Sequence, residues 1–342
     1  MDRNPTRQIT QSEQGCGLPS GSFKSRGVGN YLLAKLKDAD DPRRVHFYCA
    51  SGGNAGLACA HGAVTLSCKA TIVVPLSTTP LMVRKLAEAG ATDVVQVGAS
   101  WQEANDHLTQ VLMSDARSKG EEAIYVHPFD DADVWDGNAG IVREIARQLP
   151  QVANHYPQNV VPTLASSNDG QADGPARPDA IVCSVGGGGL FAGVMQGIDE
   201  LGWHQTRVIA VETDGADSLA QAVQAGHPIT LPAITSLATS LGARKVCQKA
   251  FEYGCRKDAV VSAVLSDSDG MRACKRFLDE ERFLVELACS VCPAICYEEK
   301  LKDLVPGLNE SSRVVLVICG GGNISFDVLD KYMKDTAFAA PS

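Results

Sequence analysis

Short β-branched, apolar segments alternate with helical patterns along this chain of 342 residues. The segments VHFYCA (45–50), ATIVVP (70–75), TDVVQV (92–97) and RVVLVIC (313–319) are typical of strands. Each is followed by a helical pattern, and the one after TDVVQV runs over 100–119. A chain that alternates strand and helix in this way forms parallel sheets with helices on both faces. We therefore predict an α/β fold built from open, twisted, mostly parallel sheets flanked by helices.

A stretch rich in Pro, Gly, Asn, Asp and Ser interrupts the alternation, which returns with AIVCSV (180–185). We interpret the interruption as a surface loop insertion at about 155–178. The pattern on its two sides predicts a small α/β domain over 19–123 and a large α/β domain over 124–335. Because open α/β sheets bind ligands at the carboxyl ends of their strands, the cleft between the domains is the expected site.

Composition restricts the partners of the protein. The chain carries 31 Lys and Arg against 40 Asp and Glu, a net charge of −9, which argues against a nucleic-acid or anionic-membrane surface. Apolar runs fall short of the roughly 18–20 residues of a membrane span, and MDRNPTRQITQSEQ lacks the apolar core of a signal peptide. We expect a cytoplasmic protein.

Most of the 12 cysteines lie inside apolar strand or helix patterns, which is typical of reduced, buried thiols. The CxxC pair Cys289 and Cys292 has no second Cys or His pair at a spacing suited to zinc. The sequence therefore favours core cysteines over a zinc or redox site.

Three glycine clusters directly follow predicted strands. They are SGGNAG (51–56), GGGGL (186–190) and CGGGN (319–323). Glycine has an entropic cost on folding, so it is expected where the backbone must approach a ligand closely. Three such clusters at strand ends indicate a ligand site assembled from several loops.

The GGGGL cluster is suited to an anion, because its N–H groups and the following helix N-terminus can face a phosphate. It lacks the Gly-Lys-Ser/Thr of a Walker loop, and it does not have the GxGxxG spacing of a dinucleotide fold. Glu212, after the next strand, could still serve as a ribose ligand. These features therefore do not exclude a dehydrogenase.

Lys24, in PSGSFKSRG, lies at a predicted helix start, where the partial positive charge disfavours a cation. It is either an exposed, solvated lysine or an amine that must be neutral to react. Ser51 and the N–H groups after it can hold a second anion, and Asn54 is either a helix cap or a donor to a phenolate oxygen. Cys319 is either a core residue or a weak hydrogen-bond partner of a ring nitrogen.

Six segments in the order PSGSFKSRG, SGGNAG, SVGGGGL, VETDGADS, ITSLATSLGA and VICGGGNIS resemble the fold-type II, tryptophan-synthase-β-like enzymes that use pyridoxal 5′-phosphate (PLP). The resemblance covers about residues 19–330. Within that group the chain resembles the short L-serine/L-threonine dehydratases, which have no regulatory domain. The resemblance implies a PLP-dependent ammonia-lyase that converts L-serine to pyruvate and ammonia and L-threonine to 2-oxobutyrate and ammonia.

The resemblance also implies roles for individual residues. Lys24 would form the Schiff base with PLP and then act as the catalytic base. The other residues expected to bind the cofactor are Phe23, Asn54, Gly186, Gly187, Gly188, Gly189, Leu190 and Cys319. Those expected to receive the substrate carboxylate are Ser51, Gly52, Gly53 and Asn54. The positions that surround a monovalent cation, K+, in relatives are Gly186, Glu212, Ala216, Ser218, Leu241 and Ala243.

Several alternatives stay open on the same scaffold: a threonine synthase, a β-replacement enzyme, a racemase, or an inactive truncated homologue. Racemases that resemble this family carry a serine where this chain has Gly52, which favours elimination. Residues 1–18 do not match the family and are interpreted as a divergent or truncated N-terminus. The resemblance further implies a homodimer.

Overall fold

The computed structural model describes residues 17–155, 177–309 and 312–334. The predicted insertion at 155–178 and the N-terminal segment 1–18 therefore lie almost entirely outside the described residues.

The first half of the chain forms a four-stranded parallel sheet in the order β3-β2-β1-β4. Its strands are β1 (Val45–Cys49), β2 (Lys69–Val74), β3 (Asp93–Gln96) and β4 (Glu122–Tyr125). The helices of this half are α1 (Lys24–Asp38), α2 (Asn54–Thr65), α3 (Pro80–Glu88), α4 (Trp101–His107) and α5 (Met113–Ser118), followed by the long α6 (Ala132–His155).

The second half forms a second four-stranded parallel sheet in the order β7-β6-β5-β8. Its strands are β5 (Ala180–Ser184), β6 (Arg207–Thr213), β7 (Val260–Leu265) and β8 (Val314–Leu316). Its helices are α7 (Gly189–Glu200), α8 (Ser218–Ala225), α9 (Gln248–Gly254), α10 (Asp267–Glu281), α11 (Leu287–Tyr297), α12 (Leu301–Leu304) and α13 (Phe326–Lys334).

Two parallel sheets with helices confirm the predicted α/β class. Each sheet has its own apolar core, around Phe47 and Ile72 in the first and around Phe191 and Ile209 in the second. Helix α1 packs on both α2 and α6. The division into two domains near residue 123 is consistent with the two sheets and stays a prediction. Among the described helices, none is both long and apolar enough to cross a membrane.

Two predicted elements differ in detail. The helical pattern over 100–119 is interrupted by a π-helical turn at Leu108–Leu112. The predicted strand over 313–319 is a strand only from Val314 to Leu316. Val317 N–H still donates to the carbonyl of Val182 in β5 at 2.9 Å, and two residues later the carbonyl of Cys319 accepts from the N–H of Phe23 at 2.9 Å.

Candidate active site

The lysine turn and the third glycine cluster are joined through the backbone. Phe23 N–H donates to the carbonyl of Cys319, and Gly321 N–H donates to the carbonyl of Gly21, both at 2.9 Å. Ser22 and Gly320 form an antiparallel bridge between these two bonds. Residues nearly 300 positions apart thus form one wall, and α1 begins directly from it at Lys24.

The side chain of Lys24 lies between two phenyl rings. Its Nζ is 5.2 Å from the ring centre of Phe23 and 5.9 Å from that of Phe129, and it donates to the carbonyl of Pro128 at 2.5 Å. Sequence reasoning placed Phe23 here but missed Pro128 and Phe129. The only signal for them was their position just after β4, at the carboxyl end of a strand.

Burial lowers the pKa of Lys24 to about 8 from its ordinary 10.5, because the ammonium form loses solvation. The thiols of Cys49, Cys319 and Cys247 act in the opposite direction without cancelling this effect. At pH 7 roughly a tenth of the amine is then neutral, against less than about one thousandth for an ordinary lysine. Of the two interpretations of Lys24, the structure favours a reactive amine over a solvated cation.

The GGGGL cluster connects β5 to α7. Gly188 occupies the N-cap position with φ +92°, and α7 has no side-chain cap. The backbone hydrogen bonds of the described residues include none donated by the N–H groups of Gly187, Gly188 or Gly189. A Cβ on Gly187 would lie 2.4 Å from the ring of Phe129, and one on Gly188 would lie 2.4 Å from Cβ of Ala250. The loop therefore requires bare backbone, and its unused N–H groups suit an anion.

The SGGNAG loop follows β1 and leads into α2. Gly53 is the N-cap residue, and its N–H donates to Oγ of Ser51 at 3.3 Å. Of the two roles left open for Asn54, the helix cap is not observed, because Asn54 is the first helical residue and Gly53 holds the N-cap position. Positions for a Cβ on Gly52 and Gly53 lie 3.2 Å from Thr78 and 3.0 Å from Asn323, respectively.

The Asn54 amide instead bridges to the other half of the chain. Its Nδ2 donates to Oε1 of Glu286 at 2.9 Å, and its Oδ1 accepts from the N–H of Gly322 at 3.0 Å. Sequence reasoning missed Glu286, whose only signal was a single acidic residue directly before the apolar helix α11.

Cys319 lies among buried polar and sulfur groups. Its Sγ accepts from the hydroxyl of Ser184 at 3.7 Å, and the nearby Sγ of Cys289 accepts from the N–H of Gly320 at 3.3 Å. Burial raises the pKa of Cys289 well above its ordinary value. Cys289 and Cys292 are both buried, and across the described ranges no group of three or more His, Cys, Asp or Glu could hold a metal ion.

The hydroxyl of Ser290 links two helices of the second half. Ser290 is fully buried in α11, and its Oγ donates to the carbonyl of Gly270 in α10 at 2.7 Å.

Glu212 is fully buried at the end of β6, and both its oxygens face the start of α8. They accept from the N–H groups of Leu219 and Ala220, each at 2.8 Å. The carboxylate therefore stabilises a helix N-terminus and is not free to bind a ribose. Burial raises its pKa to about 8.

The other positions expected around a cation lie in the turns nearby. Ser218 is fully buried, and its Oγ has no hydrogen-bond partner among the described residues. The N–H of Ala216 donates to the carbonyl of Thr213 at 2.8 Å, which closes a tight turn. A Cβ on Gly186 would lie 3.0 Å from Cα of Leu241, whose carbonyl accepts from the N–H of Ala243 at 2.7 Å.

Two cavities differ in their relation to these residues. One of about 510 Å³ lies at the amino ends of the second sheet, lined by Asp179, Arg207 and Asp258 among others, away from the glycine clusters. A second, of about 20 Å³, is lined by Glu286 and Asn323. The chemistry-bearing residues gather at the carboxyl ends of the strands, so the larger cavity is not part of this site.

Comparison with known proteins gives a consistent result. A family model described as pyridoxal-phosphate dependent enzyme matches residues 14–320. An L-serine dehydratase of Saccharomyces cerevisiae (strain RM11-1a) is 37% identical over 322 residues, 92% of this chain and 88% of the yeast protein. A serine dehydratase-like protein of Rattus norvegicus is 38% identical over 319 residues, 91% of this chain and 84% of the rat protein.

A solved structure of a fungal L-serine ammonia-lyase from Rhizomucor miehei superposes with a TM-score of 0.79 at 30% identity. It covers 94% of this chain and 91% of the fungal chain.

Proposed function

The chain belongs to the family of pyridoxal-phosphate dependent enzymes, and from this premise we propose that it is an L-serine/L-threonine ammonia-lyase. L-Serine would lose water and then, by hydrolysis, ammonia, which leaves pyruvate; L-threonine would give 2-oxobutyrate and ammonia. Relatives named as serine dehydratases, 35–38% identical over most of the chain, support this assignment. Gly52, which supplies no acid or base, favours elimination over racemisation.

The residues of the site fit PLP. The buried, partly neutral amine of Lys24 suits its aldehyde, and the unused N–H groups of the GGGGL loop suit its phosphate. Phe23 would line the ring, and Leu190, at the start of α7, completes the loop. Asn54 would bond the ring hydroxyl, and Cys319 would meet the ring nitrogen. When bound, PLP supplies an aldehyde that condenses with amines and a ring system that accepts electrons from the substrate α-carbon.

The chain's own residues supply positioning and proton transfer. We propose that the N–H groups of Ser51, Gly52, Gly53 and Asn54 orient the substrate carboxylate at the N-terminus of α2. Lys24, freed when the substrate amine takes its place, would accept the α-proton at Nζ. The phenyl rings of Phe23 and Phe129 exclude water around this amine, which keeps it neutral and basic.

The observation that carries the proposal is a buried lysine amine at the point where the three glycine clusters meet. We expect purified protein supplied with PLP to release pyruvate from L-serine, and 2-oxobutyrate from L-threonine. Release of D-serine in place of pyruvate would instead identify a racemase. Absence of any product, with a cofactor absorbance band present, would contradict the lyase assignment while preserving cofactor binding.

The lowered pKa of Lys24 predicts how cofactor capture depends on pH. The neutral amine attacks the aldehyde, so the capture rate should rise about tenfold per pH unit below about 8 and level off above it. For a lysine with the ordinary pKa of 10.5, the capture rate would continue to rise up to about pH 10.5. Stopped-flow absorbance of apoprotein mixed with PLP measures this rate. A continued rise beyond pH 10 would contradict a desolvated amine.

We further propose that K+ binds beside Glu212. The buried hydroxyl of Ser218, which has no partner among the described residues, supports this. A cation there would favour the ionised form of the Glu212 carboxyl, which burial alone disfavours, and carbonyl and carboxylate oxygens suit such a hard cation. Gly186, Ala216, Leu241 and Ala243 would contribute backbone oxygens.

The cation proposal predicts an ion-dependent stability. We expect the melting temperature to be several degrees higher in potassium chloride than in tetramethylammonium chloride, since binding to the folded state alone stabilises it. The difference should vanish in Glu212→Gln. An equal melting temperature in both salts would remove the cation from the proposal.

A cytoplasmic location, expected from the sequence composition, and a homodimer, implied by the family resemblance, stay predictions. The free cysteines of the described residues, most of them buried, are consistent with a reducing compartment.

A further inference from the structure

Glu286 is a buried carboxyl group that the proposed mechanism does not use. Its residue is only 4% exposed and lies at the N-cap position of α11, yet its side chain does not cap that helix. Oε1 accepts from the side chain of Asn54 at 2.9 Å and from the backbone N–H of Asn323 at 2.7 Å. Because this carboxyl group is buried and hydrogen-bonded beside the site, we expect it to have a role there.

The loop of the third glycine cluster is shaped around this carboxyl group. Gly321 has φ +125°, and a Cβ there would lie 2.2 Å from Cδ of Glu286. Asn323 N–H closes the other side. The carboxyl group is therefore held by bare backbone and an N–H of one loop, which leaves its Oε1 aimed at Asn54.

The contacts of Asn54 have one consistent orientation. An asparagine amide carries two N–H donors and one carbonyl acceptor. Oδ1 faces the Gly322 N–H and Nδ2 faces the carboxyl of Glu286, so a flipped amide would oppose donor to donor and acceptor to acceptor. Glu286 and Gly322 together fix the amide and leave its second N–H without a partner among the described residues.

We propose that Glu286 is a positioning residue that orients Asn54 toward the PLP ring hydroxyl. It acts from the second half of the chain on a helix of the first half, so it also links the two sheets at the site. This inference rests on the proposed function only in that Asn54 bonds the cofactor. The chemistry performed on the substrate does not enter it.

The two bonds that Glu286 accepts use the same oxygen, which makes the conservative variant informative. A glutamine keeps that carbonyl oxygen, so Glu286→Gln should preserve the orientation of Asn54. Glu286→Ala removes the acceptor and frees the amide to rotate. A hydrogen bond of this kind corresponds to about a tenfold change in an equilibrium constant.

The test measures the PLP dissociation constant of purified apoprotein by absorbance titration, without any substrate. We expect Glu286→Ala and Asn54→Ala each to weaken binding about tenfold, Glu286→Gln to stay within about threefold, and the double alanine variant to be no weaker than Asn54→Ala. Glu298→Gln is the matched control: a carboxyl at the other end of α11, paired with Arg272 at 3.2 Å, that should leave the constant unchanged.

Three results would overturn the inference: additive losses in the double variant, unchanged binding in Glu286→Ala, or equal losses in Glu286→Gln and Glu286→Ala. Melting curves accompany each titration. If Glu286→Ala does not fold, Glu286→Asp, which retracts the oxygen by one methylene, replaces it in the same comparison. Because serine turnover is not measured, a protein that binds PLP but makes no pyruvate would refute the lyase and still allow this test.

Discussion

Replacing Lys24 with alanine should abolish pyruvate release from L-serine, with a loss of at least about 10³-fold, because one amine serves as both the covalent attachment and the base. The fold should persist, because the only hydrogen bond described for the Lys24 side chain is to the carbonyl of Pro128, so no other side chain loses a partner. The measurement is initial rate with saturating PLP, together with the absorbance spectrum of the bound cofactor.

The matched control is Lys35→Ala on the same helix, α1. Lys35 forms an ion pair with Asp133 at 2.8 Å and lies outside the site, so its loss should leave the rate nearly unchanged. If Lys24→Ala kept more than a few per cent of the activity that the wild type and Lys35→Ala show, the assignment of the catalytic amine would be wrong.

Gly188→Ala should lower the free energy of unfolding by about 3 kcal/mol and weaken PLP binding strongly. The backbone there has φ +92°, which costs a residue with a Cβ roughly 1–2 kcal/mol. The new methyl would also lie 2.4 Å from Cβ of Ala250, and such overpacking costs roughly 1–3 kcal/mol. Chemical denaturation of the apoprotein, followed by a PLP titration, measures both effects.

Gly226→Ala separates the two contributions. Gly226 has φ +76° at the end of α8, but a Cβ there would have nothing within 4 Å. Only the conformational cost of roughly 1 kcal/mol should remain, and PLP binding should not change. Equal destabilisation in the two variants would mean that the close packing of the GGGGL loop has no energetic weight.

Much of the fold follows from local pattern. The β-branched segments at 45–50 and 180–185 became strands of two parallel sheets, and the glycine clusters lie at the carboxyl ends of strands, as predicted. Strand propensity and glycine content are encoded in a few adjacent residues, so a single sequence suffices. The strand ending at Leu316 was predicted too long. Beyond it the carbonyl of Cys319 accepts from the N–H of Phe23, a long-range contact that no local pattern contains.

The chemical identity of the site was also present in the sequence. The motifs around Lys24, Asn54 and GGGGL, in this order, resemble those of PLP-dependent enzymes and so indicate the cofactor. Each motif is a short run of adjacent residues, so the sequence contains it in full. Tertiary structure decided what those groups contact. It placed the Lys24 amine between Phe23 and Phe129, where desolvation lowers its pKa. Local reasoning missed this environment because Phe129 and Pro128 lie more than 100 positions away in the chain.

The same holds for Asn54, for which the local pattern left two roles open, and for Glu286, which it missed. Asparagine is a common residue at helix N-caps, but the side-chain amide of Asn54 donates to the carboxyl of Glu286, 232 positions later in the chain. Glu286 carries no motif that marks it. The sequence by itself determined which groups are available, because composition and local spacing are written in it. Only the tertiary structure decided which groups meet, because contacts between distant residues arise when two separate sheets pack around one site.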